Sequence, residues 1–529
     1  MNKSIKYKEV LNKYITINKS DGLGLFQLGL MHLYGKGYPQ DIKKGISLIE
    51  KAANHYPFAY TFLGISFLKG KVVRKNKKKG LAYLKKAKFS GDSEALVQLS
   101  YLYLDDVTPD NYEKAIQLLS EAVDKGHPLA MLYKGIFLIT SPSSEESYRK
   151  AYELFALADE LKNYEATAFL GHMYENGYFV EKSISKAFRY YLKGTSGGSA
   201  FAHYFLANMY REGTLGEINI DEAIRHYEYA SVNGFPHAMH ELIDIYFDKG
   251  SSKYNLLLGR AYLDKLLEIN DPIALYKYGY FLVKGLHFTK NIKLGLKYLR
   301  KSNYKESYLY LGKLYSLGSV VPWNRHMALD YFLEGAKLGC ADSMIGAARI
   351  LTWSDFKNNP NREKLFSLIY DAIELGNKDG YYLLGRCYQY GIDVEVDYQK
   401  AKEYYLLAGD QFAYQNVALF YLKGWGFEKD VQTGISYLKK GVEKGSVSCS
   451  NMLAYIYTTG EDIPQDLDEA EKYLHFSASN GYIRAYYNLA KIYLEKDKEK
   501  GLEYLLKAVE LKDIKAIKLY NELKEKGEI

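Results

Sequence analysis

The chain is expected to be all-α, an array of helix pairs, and three regularities predict it. An Asp, Asn or Ser recurs about every 36 residues, from Asp41 and Asn76 through Ser183 and Asn324 to Asp430 and Asp497. A fixed period in this range marks a repeat array. Four residues after almost every one stands a Gly or Ala, as at Gly45, Ala187 and Ala470. Ahead of it lies a helical stripe in which Leu-Gly precedes an aromatic ring, as in Leu170-Gly171 and Tyr174. In such arrays each unit packs on its neighbours and a long surface results.

The recurring polar residue fits a helix N-cap. Its side-chain oxygen accepts a hydrogen bond from an otherwise unpaired first-turn amide, a contribution of about 1 kcal/mol. Fourteen positions are therefore predicted to open the second helix of successive units: Asp41, Asn76, Asn111, Ser147, Ser183, Asn219, Asn255, Asn291, Asn324, Asn361, Asp397, Asp430, Asp466 and Asp497. The small residue one turn in leaves room for the preceding helix, and only Leu365 departs from it.

The first helix of each unit carries Leu-Gly, as at Leu28-Gly29, Leu63-Gly64, Leu311-Gly312 and Leu384-Gly385. An Ala often stands four residues before the Leu, and spacings of three and four place these residues on one stripe. A helical Gly costs roughly 1 kcal/mol against Ala, so a bulky neighbour is expected against the bare backbone. Turns containing Gly35, Gly177, Gly213, Gly318 and Gly424 follow, and Gly91, Gly126, Gly234 and Gly445 are expected as left-handed ends of second helices.

Taken together, Leu-Gly-x-x-Tyr-x-x-Gly-x-Gly, Asp-x-x-Lys-Ala and Tyr-x-x-Lys-Ala-Ala resemble the Sel1-like repeat, a cousin of the tetratricopeptide repeat. The resemblance covers residues 22–513, with good copies near 22–56, 164–199 and 413–445. It implies a right-handed superhelical solenoid of about fourteen antiparallel helix pairs, with first helices lining the concave face. It also implies an adaptor that holds other proteins, as family members mostly are, although the repeated residues are packing residues and say little of function themselves. Residues 1–21 are expected to form an N-terminal capping helix and 514–529 a polar C-terminal one. Repeats three, four, seven and ten depart from the pattern, losing the Gly-x-Gly turn or, at Ala347-Ala348, the Leu-Gly pair.

Composition suits one folded array: 47% hydrophobic, 25% charged, only ten Pro and no linker-like stretch. The 54 Tyr fall mostly on packing positions such as Tyr190, Tyr227, Tyr331 and Tyr404. The first twenty residues have no continuous apolar core and no apolar run reaches membrane-spanning length. A cytoplasmic location without membrane insertion is expected, specialised secretion being a route that needs no such signal. The three cysteines, Cys340, Cys387 and Cys449, lie in different repeats and suggest a reducing compartment and buried thiols. The frequent Lys, Tyr, Ile and Asn suit an AT-rich, bacterial or protist source.

No phosphate loop, dinucleotide fingerprint or metal cluster stands out, so no enzyme activity, cofactor or small-molecule substrate is expected. His237 and His240 have a helical ligand spacing but no third ligand nearby. Ser183-x-x-Lys186 and Ser147-x-x-Lys150 imitate a penicillin-recognising motif, but both fall on predicted caps. The net charge is +8, with one dense run over Lys71–Lys79. Basic residues do not recur in the other turns, which argues against nucleic acid.

The residue after each Leu-Gly pair is predicted to face the groove. These residues are Leu30, Ile65, Tyr101 and Ile136, then His172, Asn208 and Asp244, then Tyr280, Lys313, Arg349 and Arg386, and last Leu419, Tyr455 and Lys491. Lys313, Arg349 and Arg386 form a cationic row flanked by Tyr280, Tyr382 and Leu419, suited to an acidic segment of a protein partner. His172 and Asn208 complete the expected site. The reading is a non-enzymatic adaptor. An immunity protein wrapping a toxin and a host-directed effector stand as alternatives, with a hydrolase like the cysteine-rich relatives ranked last.

Overall fold

The computed structural model describes residues 21–104, 108–140 and 144–529, and all regular structure among them is helical. The chain clusters into two compact units, Met1–Leu266 and Leu267–Ile529. In the first, the helices are α1 (Gly22–Tyr34), α2 (Ile42–Ala52), α3 (Phe58–Lys69), α4 (Lys77–Phe89), α5 (Ser93–Leu104), α6 (Pro109–Asp124), α7 (Pro128–Thr140), α8 (Glu145–Glu160), α9 (Tyr164–Asn176), α10 (Ile184–Ser196), α11 (Ala200–Glu212), α12 (Ile220–Val232), α13 (Pro236–Phe247) and α14 (Leu256–Glu268), the last two residues of which fall past the boundary. The second holds α15 (Pro272–Lys284), α16 (Ile292–Lys301), α17 (Lys305–Leu317), α18 (Arg325–Lys337), α19 (Ala341–Leu351), α20 (Leu365–Glu374), α21 (Asp379–Tyr390), α22 (Tyr398–Ala408), α23 (Gln411–Lys423), α24 (Val431–Glu443), α25 (Val447–Thr459), α26 (Leu467–Ser479), α27 (Ile483–Lys496), α28 (Lys498–Glu510) and α29 (Ile514–Glu525). Odd numbers up to α27 are the first helices of their repeats. The capping helix expected over residues 1–21, and parts of the altered turns of repeats three and four, fall on residues 1–20, 105–107 and 141–143, outside the described residues.

Eleven of the fourteen predicted caps accept a hydrogen bond from a backbone N–H two or three residues on. Ten of these cap residues are held a second time. Their own N–H donates to the carbonyl nine residues back, as in Asp41 to His32, Ser183 to Tyr174 and Asn324 to Tyr315, at 2.8–2.9 Å. One residue thus closes the turn and opens the helix.

Three caps are corrected. Thr108 and Ser144 accept from the amides of Asn111 and Ser147, each at 3.2 Å, so α6 and α8 start one turn earlier than predicted. Their first turns carry Asp110, and Glu145 with Glu146, where acids meet the positive end of a helix. Asn361, with φ −86° and ψ 1°, lacks the extended backbone of a cap, and α20 begins only at Leu365 after short 3-10 turns.

The small residues do bring helices together. A Cβ at Gly29 would stand 3.0 Å from the carbonyl oxygen of Gly45, and one at Gly45 would stand 2.9 Å from that of Gly29. Gly279 and Gly295 mirror this at 2.9 and 2.8 Å. Leu33, Ile49, Leu63 and Leu84 are wholly buried around the first contacts.

The Tyr excess has a geometric reason. Eight ring pairs lie sixteen residues apart, joining the end of a first helix to the middle of the second: Phe67–Tyr83, Tyr174–Tyr190, Tyr210–His226, Tyr246–Tyr262, Tyr315–Tyr331, Tyr388–Tyr404, Tyr421–Tyr437 and Tyr457–Tyr473. Their centroids are 5.5–6.2 Å apart and their planes lie within 23°. Such pairs add about 0.5–1.5 kcal/mol beyond area burial.

Polar contacts tie some repeats to the next. The Glu165 carboxylate accepts from the Ser199 hydroxyl and from the amides of Ala200 and Phe201, capping the next first helix. Arg362 bonds Asp393 at 2.5 Å, and Arg484 bonds Asp513 at 2.5 Å. Asp513 in turn caps α29 through the Ala516 amide.

Candidate partner-binding surface

The fourteen residues expected to face the groove lie outside the buried core. All fourteen residues that follow the Leu-Gly position are at least partly exposed, although their neighbours on the same helices are buried. Their surroundings differ. His172 and Asn208 belong to the first unit, and the other six predicted site residues to the second.

His172 sits in an aromatic cluster, stacked on Phe205 at 4.9 Å and 10°, with Asn176 at 3.1 Å from Nδ1. Asn208 accepts the hydroxyl proton of Tyr227 at 2.5 Å. Tyr227 is wholly buried, so Asn208 satisfies a core polar group that would otherwise be costly. The same device recurs where buried Tyr191 donates to Glu175 and buried Tyr405 donates to Gln389.

In the second unit, Lys313 and Arg349 are exposed and Arg386 is half-buried. Asp379 of α21 stands 3.6 Å from Arg349, so an acid already interrupts the cationic row. Arg386 lies 5.9 Å from the Tyr390 ring. Tyr280 packs edge-on to Tyr310 at 5.1 Å, and Tyr382 lies against Tyr405 at 5.5 Å and Phe412 at 6.4 Å. Both tyrosines therefore have structural partners.

Leu419 lines a concavity of about 640 Å³ with Leu422, Val447, Met452, Tyr455 and Tyr482. An adjoining one of about 350 Å³ is lined by Tyr455, Lys491, Asn488 and Ile492. Asn451 and Tyr455 belong to both. Thus Leu419, Tyr455 and Lys491, equivalent positions of α23, α25 and α27, border one pair of hollows. Tyr455 is 61% exposed, and the Asn451 side-chain oxygen is buried without a hydrogen-bond partner. Spacing could find Leu419, Tyr455 and Lys491; Asn451, one turn before Tyr455, repeats nowhere and left no periodic signal.

A second feature went unread in the sequence. Arg325 lies between two indoles, 4.4 Å from Trp323 and 3.7 Å from Trp353, and reaches Asp355 at 2.9 Å. Trp323 and Arg325 come from the turn and helix start of repeat nine, and Trp353 and Asp355 from the turn of repeat ten, so no single repeat brings them together.

The reactive-group candidates resolve as structural. Burial pushes the Cys387 thiol up to about 12 and raises that of Cys449, so both are protonated at neutral pH. Ser183 caps α10 through the Lys186 amide. His240 is buried while His237 is exposed, so the pair does not converge. Among the described residues no group of three His, Cys, Asp or Glu is placed to hold a metal ion, and no helix is long and apolar enough to cross a membrane.

A family model described as the Sel1 repeat matches residues 22–55, 57–88, 93–127, 165–199, 200–234, 272–304, 305–340, 378–411, 412–446, 447–482 and 483–513. The intervals it leaves are repeats four, seven and ten, three of the four whose sequences depart from the pattern. No curated protein matches the chain. Among solved structures, an Escherichia coli protective antigen with an SLR fold is 20% identical, with TM-score 0.42, over 90% of this chain and 96% of its own. A Sel1 repeat protein from Oxalobacter formigenes is 21% identical, with TM-score 0.34, over 51% and 99%. An immunity protein from Pseudomonas aeruginosa is 21% identical, with TM-score 0.31, over 39% and 78%.

Proposed function

Since the chain belongs to the Sel1 repeat family, a fold that generally serves protein interaction, we propose that it is a non-enzymatic scaffold that seats a segment of a protein partner on the first helices of its second unit. The observation that carries the reading is the pair of hollows bordered by Leu419, Tyr455 and Lys491. Leu422, Val447, Met452 and Ile492 share the walls there with Lys423, Glu461, Asp462, Lys491 and Glu495. An exposed Tyr over such a hollow has the make-up of a binding hot spot. Lys313, Arg349 and Arg386 would meet acidic side chains of the same partner, governing association rate more than affinity.

The test is affinity capture from the native cell, followed by titration of the recovered partner. Tyr455→Ala together with Leu419→Ala should weaken binding by at least about tenfold while leaving the helical signal unchanged. Charge reversal at Lys313, Arg349 and Arg386 should act mainly at low salt. Unchanged affinity in the Tyr455/Leu419 variant rules out the hollows as the seat.

A further inference from the structure

The net charge of the protein is not spread along it. Residues 21–92, which make up the first two repeats, hold fourteen Lys and Arg against four Asp and Glu; the whole chain nets only +8. Thirteen of the fourteen are exposed and make no ion pair among the described residues; Lys88, paired with Glu121 at 2.9 Å, is the exception. On both second helices they fall outside the buried stripe. Helix α2 buries Gly45, Ile49 and Ala52 and exposes Lys43, Lys44 and Lys51. Helix α4 buries Gly80, Leu84 and Ala87 and exposes Lys77–Lys79, Lys85 and Lys86. The turn before α4 adds Lys71, Arg74 and Lys75. Such crowding of like charge opposes folding by self-repulsion, although Lys79 lies over the Phe67 ring and Lys86 over Tyr60 and Tyr83.

Phe89, the last residue of α4, is the most exposed large apolar side chain of these two repeats. Lys78, Ala82, Lys85 and Phe89 follow at spacings of four, three and four, so they form a single outward stripe of α4. All four are exposed, and Phe89 is 95% exposed, the highest value among the exposed large apolar residues.

We infer that this face of the first two repeats docks peripherally on an anionic lipid bilayer, with the lysines as counterions to the headgroups and Phe89 entering the acyl boundary. Three features favour lipid over other polyanions. All but one of the fourteen are Lys, a mobile point charge, whereas nucleic-acid recognition favours the planar Arg fork. The thirteen are not held in place by acidic partners, which suits a fluid, delocalised anionic surface better than the fixed carboxylates of one protein. An aromatic ring among lysines on an outward helical stripe is the composition of interfacial membrane binding. No helix need enter the bilayer, and the first helices remain open to a protein partner.

The experiment is co-sedimentation of the full chain with phosphatidylcholine vesicles, with and without about one-third phosphatidylserine. The protein should bind only the anionic vesicles, and binding should fall steeply between about 50 and 200 mM salt. Each basic side chain near such a surface contributes roughly a factor of five in affinity. Reversing Lys71, Lys75, Lys78 and Lys85 to Glu together should therefore abolish measurable binding. Phe89→Ser should weaken binding severalfold without altering the salt dependence, and it keeps the test decisive if the fourfold variant folds poorly. No binding to anionic vesicles at low salt overturns the inference. So does tighter binding to single-stranded RNA or polyglutamate than to vesicles at equal salt, with Phe89→Ser indifferent; the partner would then be nucleic acid or an acidic protein.

Discussion

Repeats nine and ten place the same residue at the same position and put it to different use. Asn324 has extended backbone, accepts from the Met327 amide at 3.0 Å and donates its own N–H to the Tyr315 carbonyl at 2.9 Å. Asn361 instead accepts from the Lys364 ammonium at 3.0 Å, and its N–H goes to the side chain of Asn359. Next to each cap the core differs too. Ala328 lets α17 approach α18, whereas Leu365 fills the equivalent place in repeat ten and is wholly buried with Ile369 and Phe356 close to it in the core. Repeat ten keeps its helix pair without its cap because buried volume replaces the local signal. A cap is worth about 1 kcal/mol, and a buried Leu is worth more.

Breaking that comparison at the core should have the largest effect. Leu365→Ala is expected to cost about 2–5 kcal/mol, because it empties a wholly buried site. Native-state hydrogen exchange at α20 reads this loss locally, as suits an array whose units open separately. A cost at or below that of a cap would mean that repeat ten is not held by its core.

Repeat six offers the next test. There His226 replaces the Tyr of the ring pairs, stacking on Tyr210 at 5.8 Å, and its Nδ1 faces that of His203 at 2.8 Å. Burial, and then the neighbouring imidazole, lowers His203 to about 4, and burial also lowers His226. The folded form thus binds protons more weakly than the unfolded chain. The stabilisation is complete above the unfolded pKa, near 6.5, and fades as pH falls toward 4. Protection factors at α11 and α12, taken against the intrinsic amide exchange rate at each pH, should fall between pH 7 and 5, and His226→Tyr should reduce that change. An equal change in the variant would place its origin elsewhere.

Smaller again, Asn324→Ala should lose about 1 kcal/mol at α18, while Asn361→Ala should stay within about 0.5 kcal/mol. The reverse order, by urea denaturation or exchange, would contradict the cap geometry of both repeats.

The helix pairs were legible because each repeat restates them. Period, cap and small residue coincide, and eleven caps stand where periodicity put them. Thr108 and Ser144 were missed because a better local cap lay one turn upstream and the period pointed past it. The exposed position after each Leu-Gly pair was legible for the same reason, and Leu419, Tyr455 and Lys491 border neighbouring hollows. What it could not convey was how neighbours consume a residue. Tyr227 claims Asn208, Asp379 approaches Arg349, and Tyr405 covers one side of Tyr382. The basic run at Lys71–Lys79 was visible, but its continuation onto α2 and α4 emerges only when charge is counted by repeat and by exposed face.

The claim that function resides on the first helices of the second unit is tested most directly by hydrogen exchange of the full chain with and without its captured partner. The account predicts slowed exchange at α23, α25 and α27, strongest around Asn451 and Tyr455. Slowing confined to residues outside 411–496 would contradict it.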